Sequence, residues 1–595
     1  MPDVKVLWKS AKRLTAPNVR YPGLNPRTEH LKKGSRRTSS SRALLCDLVW
    51  DVDVPVLLRD GTTILVDIFR PEEMPGSGLP ALVGWSPYGK QEGTDLLGDY
   101  PFRAGVEPHE VSDYQKWEGP DPAYWCAKGY VVVNPDARGV YGCGGDAVSW
   151  GTQEADDGYD VIEWIAAQPW CSGKVALTGN SWLAISQWFI AANRPPHLAA
   201  ISPWEGFTDA YRHHLAIGGI PDPGFANFIF DQLPGEERVE DLSAMLTHYP
   251  LINEYWQSKS AAVERIDVPA YVVASWTNIV HTPGTFEGWS RLGSAQKWLR
   301  VHNTMEWSDY YKHEEDLRRF FDYFLRGEKN GWETTPKVRL AVLDPNRSVG
   351  MQVHADSYPL PVNQSHVQAL YLNADTATAS NELAATSSIH YDAGDGKGSS
   401  KFYYTFARAS AVLGEPRLEL YVSSSTSDTD VFVKVRPLTA DRKIRWVRTI
   451  PFKSWKAKLL TTLLRWSGRV EAGFLFYDGM RGRQRASRRG FYGKEAAARI
   501  ANGSAQVQPL EPNEVVRLDI ELTPLGMLFE QGDILEIEVG GYQMSPWPLA
   551  GIPKLPSANR GIATIHTGEK YPSCLYLPEH DLSSCERKFE LRFAD

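Results

Sequence analysis

The chain of 595 residues is too long for one hydrophobic core, and 42% hydrophobic with 23% charged residues is the balance of a soluble globular protein of about two to four domains. A net charge of −8 removes the electrostatic case for nucleic acid or an anionic membrane as partner. The 21 tryptophans favour aromatic-walled pockets or dense core packing, without separating the two.

The N-terminus, "MPDVKVLWKSAKRLTAPNVRYPG", has no apolar signal-peptide core, and no later run approaches the roughly 20 apolar residues of a membrane span. The six cysteines form no CxxC or zinc spacing; Cys574 and Cys585 are near enough in sequence to bridge, but nothing requires it. A cytoplasmic protein with reduced thiols is expected. Residues 1–46 read as an N-terminal arm, mobile or laid on the surface, with the basic, Ser-rich "EHLKKGSRRTSSSR" inside it. From Asp47, "DLVWDVDVPVLLRDGTTILVDIFRPEE" alternates as two strands around an Asp60-Gly61 turn. "LPALVGWSPYGK" and "GYVVVNPDARGVYGCGG" are buried strands running into loops. "EADDGYDVIEWIAAQPW" has helical spacing with acids in its first turn. "KVALTG", "LAAISPWEG", "VPAYVVASWTN" and "QKWLRVHNTMEW" read as further strands, and "EEDLRRFFDYFLRG" as a helix ended by Gly327. This alternation predicts a mainly parallel α/β sheet over 47–206 and 266–340, with its ligands beyond the strands' C-terminal ends. Residues 207–265 lose the strand pattern and are expected to form a helical cap. Residues 341–595 change to short alternating strands, an all-β sandwich with a helical or irregular insertion near 452–490.

One stretch carries chemistry. Ser181 lies between the strand "KVALTG" and the buried helix "SWLAISQWFIAAN". Such an elbow exposes a hydroxyl and leaves the next amide available to an oxyanion. Here it reads Gly179-Asn180-Ser181-Trp182-Leu183, so the second glycine of Gly-x-Ser-x-Gly is missing. By these residues alone Ser181 is as readily a helix cap as a nucleophile.

The order of "WSPYGK", "DARGVYGCGGDAVSWGTQEADDGYDVIEW", "GNSW", "VPAYVVASW", "RRFFDYFLRG", "RQRASRRG" and "PLGMLFEQGDILEIEV" resembles the CocE/NonD family of serine hydrolases, from about Leu48 to the C-terminus. That family includes cocaine esterase and is related to the X-Pro dipeptidyl-peptidases and α-amino acid ester hydrolases. The resemblance implies an α/β-hydrolase domain, a helical cap and a C-terminal jelly-roll. It implies Ser181 as nucleophile, with Trp182 N–H and the Tyr88 hydroxyl as oxyanion donors. It places an acid after "YVVASW", where this chain has Trp276-Thr277-Asn278, and a histidine in the loop after "KWLRV", where an ungapped match falls on Glu306.

Two of three triad positions therefore depart from the pattern, and three explanations compete. His302, at the strand tip, is the foremost base, oriented by Asn278 or Glu306. His281 is the second. In the third, hydrolysis is lost, and the fold guides a cyclisation, isomerisation or aldol-type step on a natural-product intermediate. Trp204, Glu205, Trp276 and His213 are candidate substrate contacts, although the tryptophans could equally pack and the His213-His214 pair could be solvated. Asp156, Asp157 and Asp160 complement a helix dipole, so no metal site is read there. Asp136 and Arg138 are expected to form an ion pair that shapes their loop. Gly142, Gly144 and Gly145 lack dinucleotide-binding spacing. The leading expectation is an acyl hydrolase or acyl transferase acting on an ester or amide of a small molecule, with no cofactor and no metal. A homodimer stays open.

Overall fold

The strands foreseen between Asp47 and His302 form one twisted sheet in the computed structural model, which describes residues 4–17, 19–90, 98, 100–344, 351–360, 366–449, 459, 463, 476–492, 499, 505–544, 552, 554–555 and 557–581. The chain divides into two units. The first holds the described residues of 1–213 and 226–337; the second holds those of 214–225, 338–449 and 459 onward.

In the first unit the sheet runs Lys297–His302, Ala270–Ser275, Leu198–Trp204, Cys171–Asn180, Leu79–Val83, Val131–Pro135, Thr63–Pro71, Leu48–Leu57, Arg27–Leu31. The pairs from Lys297–His302 through Val131–Pro135 are parallel, and the last three are antiparallel. Val131–Pro135 and Ala270–Ser275 are buried along their whole length, as strands covered on both faces must be. Helices Thr152–Ala166 and Trp182–Ala192 follow their strands, and every residue of the second is buried.

The helix acids find cations. Asp157 accepts from Arg138 Nε at 2.8 Å and Nη2 at 2.6 Å, and Asp160 accepts from Arg59. Arg138 thus pairs with Asp157 and Asp60, not with Asp136, whose carboxylate faces Lys90 at 3.9 Å. The N-terminal segment is not a mobile arm. Trp8–Ser10 pairs with Arg238–Glu240, a strand that the cap reading of 207–265 did not contain, and Arg27–Leu31 extends the sheet. Between them and Asp47, the buried Asp113 carboxylate accepts from Arg37 N, Thr38 N and Ser41 Oγ. The described residues contain no helix long and apolar enough to cross a membrane.

The second unit is an all-β jelly-roll sandwich. Ile534–Gly540 lies between Ser399–Thr405 and Asp430–Leu438, Arg417–Ser424 pairs with Val516–Glu521, and His366–Asn373 pairs with Cys574–Asp581, all antiparallel. Of the insertion expected near 452–490, the part up to 475 lies outside the described residues apart from Leu459 and Leu463. From Phe476 onward it holds strands Phe476–Tyr477 and Met480–Arg485, the second paired with Asp430–Leu438, and then the 3-10 helix Ala486–Phe491. Cys585 also lies outside the described residues.

Beneath the sheet's C-terminal edge, Asp309 of helix Glu306–Lys312 gathers donors. Arg300 Nη1 reaches it at 3.1 Å, Trp204 Nε1 at 3.2 Å and His313 Nδ1 at 3.2 Å, and Arg300 Nη2 closes a bidentate pair. Burial opposes its charge, yet Arg300, with His302 and His313, holds this carboxyl well below the usual carboxylate range. A depressed carboxyl stabilises the fold above its unfolded value of about 3.9, and that contribution is lost as pH falls through the folded value. Asp309→Asn, which leaves Arg300 buried without its counter-charge, should lower unfolding free energy at pH 7 by roughly 3–5 kcal/mol. The deficit should shrink below pH 4, and urea melts across pH will read both.

Candidate active site

Ser181 follows strand Cys171–Asn180 with φ 58° and ψ −121°, a left-handed conformation that side chains seldom adopt and that lifts Oγ off the sheet. Its N–H is held by the carbonyls of Trp204 at 3.1 Å and Glu205 at 3.2 Å. Its side chain makes no capping bond to the helix, which removes the plain helix-cap alternative. Gly179 has φ 131°, and a Cβ there would stand 2.9 Å from the Glu118 carbonyl oxygen. Leu183 replaces the second glycine of the elbow. Close approach to this helix is instead given by Gly206, where a Cβ would stand 2.7 Å from both Ala184 Cβ and Ile185 N.

The imidazole beside Ser181 is that of His281. It sits at the start of helix Thr282–Arg291, its Nε2 lies 3.2 Å from Ser181 Oγ, and its ring stacks on Phe207. This is within general-base reach. His302, the foremost base by sequence, is elsewhere. As the last residue of its strand, paired with Ser275, it sends its ring into a closed network. Its Nε2 lies 2.5 Å from Glu205 Oε1, and its Nδ1 accepts the Thr304 N–H at 3.3 Å. Burial pushes its pKa down to about 4.

The same network explains the amide at position 278. Asn278 Oδ1 accepts the backbone N–H groups of Val280 and His281, so Nδ2 must face the other way. That nitrogen donates to Glu205 Oε2 and to Glu306 Oε2, both at 2.8 Å. Asn278 therefore orients no imidazole directly; it fixes the backbone that carries His281 and bridges two carboxyls. Glu205 is the partner of His302 and is fully buried. Glu306 bonds to Asn278 and, among the described residues, to neither histidine. Burial, reinforced by the Glu205 charge, raises the Glu306 carboxyl well above its ordinary range, and burial does the same to Glu205. A third buried carboxyl, Glu118, is raised by burial and the Glu306 charge, and accepts from Trp307 Nε1 at 2.7 Å. Sequence reading missed Glu118, because it stands in no strand, helix or motif.

On the oxyanion side, Tyr88 is half-buried and stands edge-on to Trp182 at 5.8 Å. Burial first, then the Glu118 charge, raise its phenol well above the ordinary value, so it is a standing O–H donor. Trp182 opens its helix, where the amide has no intrahelical acceptor. Its indole donates to Glu154 Oε1 at 2.8 Å beside that of Trp85, and burial pushes Glu154 up to about 7.

The remaining candidates pack. Trp204 is wholly buried against Tyr271, Tyr310 and Arg300, and Trp276 stacks on Phe286. His213 Nε2 lies 2.7 Å from Glu287 Oε2 and His214 is buried, so neither is solvated.

Comparison with known proteins gives this arrangement its family. Residues 60–233 match the X-Pro dipeptidyl-peptidase (S15 family), and residues 330–576 match the X-Pro dipeptidyl-peptidase C-terminal non-catalytic domain. A CocE/NonD family hydrolase from Staphylococcus aureus superposes with TM-score 0.80 at 29% identity, over 95% of this chain and 100% of that one. The chain belongs to the CocE/NonD serine hydrolases. The cocaine esterase of Rhodococcus is 30% identical over 162 residues, 27% of this chain and 24% of that enzyme. A Mycobacterium bovis protein, provisionally named a serine esterase, is 23% identical over 82% of this chain and 90% of its own. Against the pattern by which this CocE/NonD chain resembled its family, Asn278 stands where an acid is expected and Glu306 where a histidine is. The two are bonded to each other, with donor and acceptor reversed.

Asn278→Asp would set a third acid against Glu205 and Glu306 and delete both N–H donors. Stability should drop by roughly 1–3 kcal/mol at pH 8. The drop should shrink toward pH 5 as the crowded acids take up protons, which thermal melts at the two pH values will show.

Proposed function

We propose that this protein is a serine-dependent acyl hydrolase, or acyl transferase, acting on an ester or amide of a small molecule in the cytoplasm. The observation that carries this reading is the 3.2 Å separation between His281 Nε2 and Ser181 Oγ. A serine hydroxyl is a poor nucleophile until a base takes its proton. With its proton on Nδ1, His281 presents an Nε2 lone pair to Ser181. As Oγ bonds to the substrate carbonyl carbon, the hydroxyl proton passes to Nε2 and the carbonyl π pair moves onto oxygen. Trp182 N–H and the Tyr88 hydroxyl receive that oxyanion. The imidazolium then returns the proton to the leaving alcohol or amine, and water or another acceptor repeats the sequence on the acyl-enzyme. The names of the esterase relatives support the ester class, and the unpaired thiols of Cys126, Cys143 and Cys171 suit a reducing compartment. A fold that had lost hydrolysis was motivated by the absent acid and base, and an imidazole beside Ser181 takes that motive away.

A fluorophosphonate probe should form a serine adduct at Ser181, located by mass spectrometry, and Ser181→Ala should abolish it. His281→Ala should slow labelling by about 10³-fold or more. His302→Gln, in folded protein, should stay within about tenfold of wild type, the order of one lost hydrogen bond. Wild-type labelling in His281→Ala would remove that residue from the mechanism.

A further inference from the structure

Residues 111–120 are buried at every position without forming a helix or strand, an unusual place for irregular chain. Lys116 fastens them there. Its side chain is wholly buried, and its ammonium donates to the carbonyl of Ser86 at 3.1 Å and to that of Pro135. Pro135 ends the strand Val131–Pro135 and Ser86 follows Leu79–Val83, so the lysine grips the C-terminal ends of two neighbouring parallel strands. Burial pushes its pKa down to about 8, which leaves it an ammonium at neutral pH. Bonds from a charged donor are about twice as strong as neutral ones, and a buried ammonium cannot release its acceptors cheaply.

Lys116 also opens a four-residue turn, closed by the Gly119 N–H on the Lys116 carbonyl at 3.0 Å. The third residue of the turn, Glu118, takes φ 64°, a value that favours glycine at that position. Its carboxyl is fixed by Trp307 Nε1 at 2.7 Å. Its carbonyl accepts the Asn180 N–H at 3.2 Å, one residue before the nucleophile. On the other side, Ser86 stands two residues before Tyr88, and Pro87 between them has its φ locked by the ring. One side chain and one turn thus connect the nucleophile's strand to the loop that carries the oxyanion phenol.

We propose that Lys116 is a positioning residue: by gripping the Ser86 carbonyl while its turn holds the Asn180 N–H, it fixes the separation of the Ser181 hydroxyl and the Tyr88 phenol. The proposal rests on the reading of Ser181 as nucleophile and Tyr88 as oxyanion donor. Lys116 takes no part in proton transfer. It acts on the geometry in which the oxyanion forms, where a misplacement of about 1 Å can cost about 10²-fold in rate.

The test compares wild type, Lys116→Met, Tyr88→Phe and the double variant, as full-length protein at pH 7. Methionine nearly matches lysine in length and has no donor. Fluorophosphonate labelling is followed to saturation, which separates the maximal rate from the half-saturating concentration. Amide deuterium exchange is read in the peptide containing Asn180. Lys116→Met should lower the maximal rate by about tenfold or more and move the half-saturating concentration less than about threefold. Tyr88→Phe should itself be slower by about 10²-fold, and in that background the lysine change should cost about threefold or less, because no phenol remains to be misplaced. Exchange at Asn180 should quicken by about tenfold or more, with helix Thr152–Ala166 unchanged. A lysine that serves stability alone would lower the unfolding midpoint and leave these readings as they are. Three results would overturn the proposal: an unchanged maximal rate, losses that simply multiply in the double variant, or unchanged exchange at Asn180. Should methionine fail to fold, Lys116→Gln, whose amide keeps N–H donors on a shorter side chain, replaces it. A maximal rate near that of wild type would then overturn the proposal, and a loss of about threefold or more would support it. Failure of the wild type to label Ser181 would strike the nucleophile reading, and wild-type labelling in Tyr88→Phe would strike the oxyanion reading. Exchange at Asn180 still decides whether Lys116 holds the elbow.

Discussion

The site depends on a single strained turn. Ser181 at φ 58° is held because its N–H is clamped between the carbonyls of Trp204 and Glu205 and because the helix that follows is buried along its length. A conformation of this kind costs on the order of 1–3 kcal/mol and persists only where surrounding packing over-determines it. Glu205 and Glu118 carry positive φ as well, and their carbonyls accept the N–H groups of Ser181 and Asn180, so three strained residues meet at one turn. Gly179 and Gly206 supply the close approach between backbones that side chains there would block.

Around this turn the dominant electrostatic fact is burial of acids with few cations. Glu118, Glu205 and Glu306 lie near one another, and carboxyls at such spacing in a low dielectric cannot all be ionised. The fold offsets their desolvation with neutral donors. The Asn278 amide serves two of the acids, the Trp307 indole serves the third, and His302 donates to Glu205. An amide suits position 278 because it must accept from two backbone N–H groups on one side and donate to two carboxyls on the other. A carboxylate can do only the first.

Relative to the family pattern, the imidazole beside the serine stands elsewhere along the chain, still at the sheet's C-terminal edge. The expected histidine position carries Glu306, bound to Asn278. The imidazole instead comes from His281, three residues past Asn278, at the start of a helix whose backbone Asn278 helps to hold. Parallel sheets gather their loops at one edge, so a base can be supplied from either of two neighbouring loops.

Periodicity and turn chemistry made most of the fold legible. Alternating or all-apolar runs such as "VVVNP" and "YVVAS" are strands because only extended chain buries them on both faces, and Gly61 and Gly327 end their elements with positive φ. Of the two forms expected of the arm, that laid on the surface holds; its strands were not legible because Trp8–Ser10 and Arg27–Leu31 are short and owe their strand form to partners far along the chain. The elbow that carries Ser181 and Trp182 was legible because a strand-to-helix turn is a local feature. The choice of His281 over His302 was not, since both follow core strands directly. Nor was Glu118 visible in an irregular segment. Local sequence thus determined the strands, the elbow and the class of chemistry. Tertiary structure alone decided which imidazole reaches a serine one hundred residues away and which acids crowd it. Distance between side chains depends on how loops converge at the sheet edge, and no periodicity along the chain encodes that.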